Sequence, residues 1–366
     1  MNTEQGYGDG AEAQQTVEVF KCKNCGNDLS FDPKSGKMAC EHCGTQVDIE
    51  INRQVAQKPV DFNLDAAPKW GSETRTFKCD NCGATSTFDK TEFSTECAYC
   101  GSNKVQALSS FQGIKPDALL PFVLDPPAAL TAWKTWLKKR LFAPRKMKKE
   151  AEIGHIKGVY CPFWSFDTNT FSSYSGIAGK YYYVTVGSGN NRRTERRVRW
   201  FPVRGTYNKF FKDLLVEASP HLTPKDIKSL QPFPMDKLVV YDKRFLSGFS
   251  ADFYDKGLKE GWDEGAKIMD DVIRNDIKRA INADVIQTLN VSTNYADAKF
   301  KHVLLPVYVS RASFREKIYN FFINGVNGRV SGKTPVGVGK ALIAAGIGLL
   351  ALGGILAAVL FGMGIL

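Results

Sequence analysis

Four Cys-x-x-Cys pairs crowd the first hundred residues, and they constrain the fold more than anything else in the chain. They are Cys22/Cys25, Cys40/Cys43, Cys79/Cys82 and Cys97/Cys100, and the last two pairs repeat the first two at an offset of 57 residues. FKCKNCG at Phe20 recurs as FKCDNCG at Phe77, with 14 residues between the second and third cysteine of each copy. Phe31-Asp32 in the first copy matches Phe88-Asp89 in the second, and each copy ends in Cys-Gly. A repeat of this kind predicts one small unit used twice.

A unit of about 30 residues is too small to bury a stabilising core by itself. Two knuckles of paired thiols supply the four soft ligands of a tetrahedral structural zinc site, and metal binding then supplies the folding free energy. The expected ligands are Cys22, Cys25, Cys40 and Cys43 for one Zn2+, and Cys79, Cys82, Cys97 and Cys100 for a second. Disulfides or a dithiol redox centre are the alternative. The start, MNTEQGYGDGAEAQQT, has neither the basic nor the apolar stretch of a secretory leader, which predicts a reducing compartment and disfavours disulfides. Rubredoxin-like iron uses similar knuckles. His42 lies inside a knuckle that already holds its four cysteines and is expected beside the site or exposed.

The net charge of +11 is unevenly spread over the 366 residues. Residues 1–110 carry 11 Lys/Arg against 16 Asp/Glu, residues 111–340 carry 38 against 22, and the last 26 carry none. The basic character thus belongs to the middle of the chain. One cluster is Lys134, Lys138, Lys139, Arg140, Arg145, Lys146, Lys148 and Lys149. A second is Arg192, Arg193, Arg196, Arg197 and Arg199. Such runs suit the phosphates of anionic lipid or nucleic acid, and a solvated face is the plain alternative. An anchor beside a negatively charged leaflet favours lipid.

The chain reads as a disordered tail (1–17), zinc ribbon 1 (18–52), a polar linker (53–72), zinc ribbon 2 (73–110), an α+β domain (111–335) and a transmembrane tail (336–366). Within the α+β domain, Asp125-Pro126-Pro127 starts a helix carrying Leu130, Trp133, Leu137 and Leu141 on one face. VYCPFWSFD, KYYYVTV, RRVRWFPVRG, KFFKDLLVEA, HVLLPVYVS and KIYNFFING read as strands. A second helix over about 256–282 presents Trp262, Ala266, Met269, Ile273, Ile277 and Ile281. The sum is a mixed α+β fold with a largely antiparallel sheet. Ala341–Leu366 is uncharged and apolar, about 39 Å as helix against a hydrocarbon core of about 30 Å. Arg329, Lys333 and Lys340 before it predict a single-pass tail anchor with the bulk of the chain cytoplasmic.

No catalytic constellation emerges. GRVSGKT (328–334) has three residues, not four, between its first glycine and Gly-Lys-Thr, and Pro335 prevents the helix a phosphate loop requires. It reads as a strand end after a glycine turn. His155, His221 and His302 are scattered, and lone Cys161 reads as a small buried apolar residue. FAPRKMKKEAEIGHIKGVYCPFWSFD, VVYDKRFLSGFSADFYD, HVLLPVYV and YNFFINGVNGRVSGKTP, together with the ribbons, resemble bacterial, archaeal and phage-borne TFIIB-type zinc-ribbon membrane proteins. Members are often labelled primosomal helicase-like, which the missing phosphate loop does not support in this chain, and Cys161 stands where an apolar residue is expected. The resemblance implies zinc on the eight cysteines and a non-enzymatic adaptor role beside membrane-stress scaffolds. The protein is therefore expected to dock a protein partner at the membrane; the rival reading is a membrane-tethered nucleic-acid binder.

Overall fold

The computed structural model describes residues 20–62, 69–70, 75–88, 96–102, 104–108, 113–144, 147, 156–315, 317–335 and 353–354. Ribbon 1 holds β1 (Leu29–Asp32), β2 (Lys37–Cys40) and β3 (Gln46–Val47), which form a small antiparallel sheet of their own. Next come β4 (Lys58–Pro59), β5 (Lys69–Trp70) and the ribbon 2 strands β6 (Arg75–Cys79), β7 (Thr85–Phe88) and β8 (Val105–Leu108). Two short strands, β9 (Gly113–Ile114) and β10 (Ala118–Leu119), lead into α1 (Pro126–Lys138). The remainder runs β11 (Ile156–Val186), β12 (Arg193–Glu217), α2 (Pro224–Leu230), β13 (Val239–Val240) and β14 (Ser250–Asp252). It ends with α3 (Leu258–Ile281), β15 (Val285–Phe314), β16 (Lys317–Asn324) and β17 (Val330–Gly332). The α+β class and the mainly antiparallel sheet are as expected; among the described residues the parallel pairs are β10 with β15 and β11 with β14.

The strands are far longer than the sequence suggests. VYCPFWSFD and KYYYVTV belong to one strand of 31 residues, RRVRWFPVRG and KFFKDLLVEA to one of 25, and HVLLPVYVS to one of 30. Thr168–Ala178, rich in Ser, Asn and Gly, is extended because β11 lies between β12 and β15 and bonds to both over this stretch. The three strands leave the core as an arm. From Thr168 to Val186 the arm measures about 60 Å at ~3.3 Å per residue.

Helix α3 covers one face of this arm. Met269, Ile273 and Ile277 are buried against Phe211, Tyr174, Tyr207, Leu289, Val291 and Tyr295. Gly261 lets the helix approach Trp164, since a Cβ there would lie 2.4 Å from Trp164 Cδ1. Among the described residues no helix covers the opposite face, and Phe171, Ile177, Trp200 and Phe210 are exposed on it.

Helix α1 is capped by Asp125, whose side chain accepts from the Ala128 amide, and it buries Ala129, Trp133 and Leu137. Leu141 does not share that face. The helix stops at Lys138, and Leu141 is 74% exposed. The linker is held along the sheet: β4 pairs with Lys299 and Phe300 of β15, Gln57 Nε2 donates to Asp167 Oδ2 at 2.6 Å, and Lys58 pairs with Asp117 at 2.6 Å. Among the described residues no helix is long and apolar enough to cross a membrane. The expected tail span, 336–366, lies outside the described residues apart from Gly353 and Gly354.

Candidate metal centres

The four knuckles share one backbone design. In the first, the Cys22 amide donates to the Asn27 carbonyl at 2.7 Å and the Gly26 amide donates to the Cys22 carbonyl at 2.8 Å. The same pair of bonds recurs at Cys40/Gly44, Cys79/Gly83 and Cys97/Gly101. Gly26, Gly44, Gly83 and Gly101 all have φ between +72° and +76°, a left-handed conformation that glycine adopts without a Cβ penalty. This turn aims the paired thiols at a common point.

The thiols converge as two sets. Cys22 Sγ lies 3.5 Å from Cys43 Sγ and Cys25 Sγ 3.5 Å from Cys40 Sγ; in the second set Cys79–Cys100 and Cys82–Cys97 are both 3.6 Å apart. All four sulfurs in each set lie within 4.8 Å of one another. Four thiolates around a metal at about 2.3 Å sit about 3.8 Å apart, so both sets fit a tetrahedral ion, whereas a disulfide needs about 2.05 Å. All nine cysteines are free. The Thr45 hydroxyl, 3.1 Å from Cys43 Sγ, and the Thr45 amide lower the Cys43 thiol, while Cys25, crowded by the other sulfurs of the set, is raised. His42 is exposed beside the complete first set.

The two centres are seated differently. Ribbon 1 docks through Phe31, whose ring packs edge-on against Phe245 at 5.1 Å and tilted against Phe249 at 6.3 Å. Its amide donates to the Ser247 carbonyl at 3.0 Å, and Ser247 Oγ donates back to the Leu29 carbonyl at 2.8 Å. Phe249 then stacks on Phe122 at 4.3 Å, which links the ribbon to the sheet core. Ribbon 2 is joined by backbone pairing: β7 pairs with β14 and so extends the main sheet. Its knuckle residue Tyr99 is buried, stacked on His221 at 4.0 Å and donating to Asp252 Oδ2 at 3.0 Å.

Tyr99 thereby closes a buried polar cluster that the sequence reading did not single out. Glu217, Ser219 and Asp252 are all buried, and the Leu222 amide and Ser219 Oγ donate to Glu217 Oε1. Burial pushes Glu217 and Asp252 up to about 8 and His221 down to about 4. The 3.6 Å approach of His221 to Asp252 is therefore between neutral groups at pH 7. Cys161, 3.8 Å from the Tyr99 hydroxyl, is buried with them. The visible signal was an acid flanked by apolar residues, as in ADF around Asp252 and LLVEA around Glu217. His302 is also buried, held by the Ile114 carbonyl at 3.1 Å, whereas His155 lies outside the described residues.

The two basic clusters are separated. Lys134, Lys138, Lys139 and Arg140 lie on or just after α1, with Arg140 stacked over Trp136 at 4.4 Å; Arg145, Lys146, Lys148 and Lys149 lie outside the described residues. Trp136 and Lys139 line one groove with Arg329, so this cluster lies beside the strand that leads to Pro335. Arg192, Arg193, Arg196, Arg197 and Arg199 are exposed at the tip of the arm. The pairings Val330↔Ile323, Ile323↔Tyr308 and Tyr308↔Gly158 set β17 level with Gly158. From there Val186 is a contour of about 90 Å away along β11, 28 residues at ~3.3 Å. GRVSGKT places Val330–Gly332 in β17, in keeping with a strand end after a glycine turn.

No family model matches the chain, and no solved structure does. A Bacillus subtilis (strain 168) protein, the uncharacterized protein YdjG, is 27% identical over 331 residues, covering 88% of this chain and 91% of that protein.

Proposed function

We propose that this chain is a tail-anchored zinc-ribbon adaptor, a TFIIB-type zinc-ribbon membrane protein that docks a protein partner at the cytoplasmic face of a membrane. The observation that carries the reading is the closure of both thiol sets. Four sulfurs surround each centre, so a bound ion keeps no open position for a substrate, which is the design of a structural site. All-thiolate tetrahedra suit zinc, and each ion would make its ribbon a rigid module seated on the sheet. The uncharged run 341–366 supplies the anchor, and the α1 cations, on the side where the chain departs, face anionic headgroups.

The test uses the full chain. Elemental analysis of protein purified under reducing conditions gives two zinc ions per chain. Removal of 336–366 moves the protein from the membrane pellet to the soluble fraction. A photo-crosslinker at exposed Glu41 or His42 of ribbon 1 then captures the same partner with and without nuclease. Iron at stoichiometric levels, a truncated protein that still pellets after a high-salt wash, or a crosslink abolished by nuclease would each overturn the corresponding part of the reading.

A further inference from the structure

The distal end of the arm is a free two-stranded ribbon. β15 begins at Val285, opposite Gly179, and α3 ends at Ile281. Beyond Gly179, among the described residues, only β11 and β12 continue, paired from Lys180↔Arg199 to Val186↔Arg193. Asp284 sits at the base of the ribbon, accepting from the Tyr181 amide at 2.8 Å and pairing with Lys180 at 3.7 Å. That is about 23 Å of ribbon at ~3.3 Å per residue, with neither face covered by another described element.

Its charge is concentrated and nearly of one sign. Residues 180–204 contain seven basic side chains and one acidic one, a balance of +6 within a chain of net +11. The acid, Glu195, is paired with Arg193 at 2.8 Å and Arg197 at 3.5 Å. Cross-strand partners share a face, so the register sorts the residues. Tyr181, Tyr183 and Arg196 lie on one face, and Lys180, Tyr182, Arg193, Arg197 and Arg199 on the other. Arg196 is stacked over Tyr181 at 4.4 Å and Arg199 over Tyr182 at 5.7 Å, so guanidinium groups are held in place on both faces.

We propose that this ribbon is a grip for the phosphate backbone of double-stranded DNA, seated in a groove. The ribbon's shape selects the duplex over a lipid surface. A bilayer is flat and meets one face of a ribbon, and docking the face that carries Lys180, Arg193, Arg197 and Arg199 would leave Arg196 in water. A groove has phosphates on both walls, and the major groove, about 12 Å wide, admits a two-stranded β-ribbon. The apex, Gly187–Asn191, is GSGNN and offers no apolar tip to insert among acyl chains. Arginine, with its planar fork, is the residue suited to phosphate oxygens. The arm's contour also carries this tip far along the strand from Pro335, where the chain leaves for its proposed anchor. The contacts are to backbone, so the grip is indifferent to sequence.

The experiment measures binding of the full chain, in neutral detergent, to a labelled 20-base-pair duplex between 50 and 200 mM salt. If all five arginines from Arg192 to Arg199 reach phosphates, the log–log salt slope is about −4.5, a loss of roughly 500-fold across that range. Changing Arg192, Arg193, Arg196, Arg197 and Arg199 to Ser flattens the slope and removes most of the binding, while the five Arg→Lys changes keep the slope at weaker affinity. Serine at Lys134, Lys138, Lys139 and Arg140 of α1 leaves it unchanged. Two metal ions per chain in every variant report that the fold has survived. Tighter binding to vesicles of 30% anionic lipid or to a single strand at the same ionic strength, duplex binding that the Ser variants retain, or no duplex binding would each overturn the proposal. The adaptor reading, tested at ribbon 1, stands or falls separately.

Discussion

Tyr99, one residue before the last cysteine of the second metal site, donates its hydroxyl to Asp252 Oδ2 at 3.0 Å across 153 residues of sequence. The knuckle that holds the metal is thus also a plug in the core of the main sheet. Metal coordination there and packing of β14 against β7 are parts of one structure.

The two metal centres should therefore differ in their consequences. Cys82→Ser, which breaks the ribbon set into the main sheet, is expected to abolish a single cooperative thermal transition. Cys25→Ser is expected to leave the main transition in place while exposing ribbon 1 to protease. A structural metal such as zinc contributes on the order of 10 kcal/mol of folding free energy to a small module, so each ribbon is expected to fail when its thiol set is broken. Calorimetry and limited proteolysis on the two variants check this, and equal behaviour would refute the asymmetry.

Tyr99→Phe keeps the ring stacked on His221 and deletes one hydroxyl. It leaves a buried carboxyl short of a partner, which costs about 1–3 kcal/mol. The urea midpoint should fall accordingly with the metal count still at two. A midpoint equal to that of the parent would show that Asp252 does not depend on this bond.

The same carboxyl gives the fold a pH dependence. Asp252 and Glu217 are raised to about 8 in the folded chain by burial, against about 4 when unfolded. Between those values the folded state holds protons that the unfolded state has released, so the pair's contribution to stability is full below about pH 4 and is lost as pH rises through about 8. Tyr99, Cys161, Asp255 and Lys256 surround the pair, and His221, pushed down to about 4 by burial, acts in the opposite sense below its unfolded value of about 6.5, so the net decline belongs above that pH. Denaturation midpoints between about pH 6.5 and 9, where the thiolates retain metal, should decline with pH. Asp252→Asn should shallow the decline, and an unchanged profile in that variant would refute the assignment.

Gly261 marks where α3 touches the sheet. A methyl group there meets Trp164 Cδ1 at 2.4 Å, so Gly261→Ala forces the helix and strand apart despite alanine's better helix propensity. The expected cost is about 1–3 kcal/mol from overpacking. By contrast Gly257→Ala meets nothing within 4 Å, so its cost should be limited to the N-cap preference for glycine over alanine and fall below that of Gly261→Ala. A pair of thermal melts decides it.

The metal sites were legible in the sequence because their information is local. Cys-x-x-Cys-Gly specifies its own turn, and the offset of 57 makes the pairing of knuckles unambiguous. Helix α3 was legible from its period, with Met269, Ile273 and Ile277 buried as read. The arm was not. TNTFSSYSGIA has the composition of a loop, and it is a strand only because two distant segments bond to it from either side. Nor could sequence show that Asp252 and Glu217 are buried, since that follows from Tyr99 and His221 arriving from other parts of the chain.

The length of the arm leaves a problem of its own. Along β12 the edge away from β11 has no strand partner among the described residues, and neither does that of β15 from Val285 to Asp297. Open edges of this length invite a strand from another copy. Pro202 lacks the amide such a ladder would use, and Arg193, Arg196, Arg197 and Arg199 would set like charges side by side if two β12 edges met. The arginine row thus keeps the protein from zipping to itself, and copies stripped of it should self-associate as salt screens what charge remains.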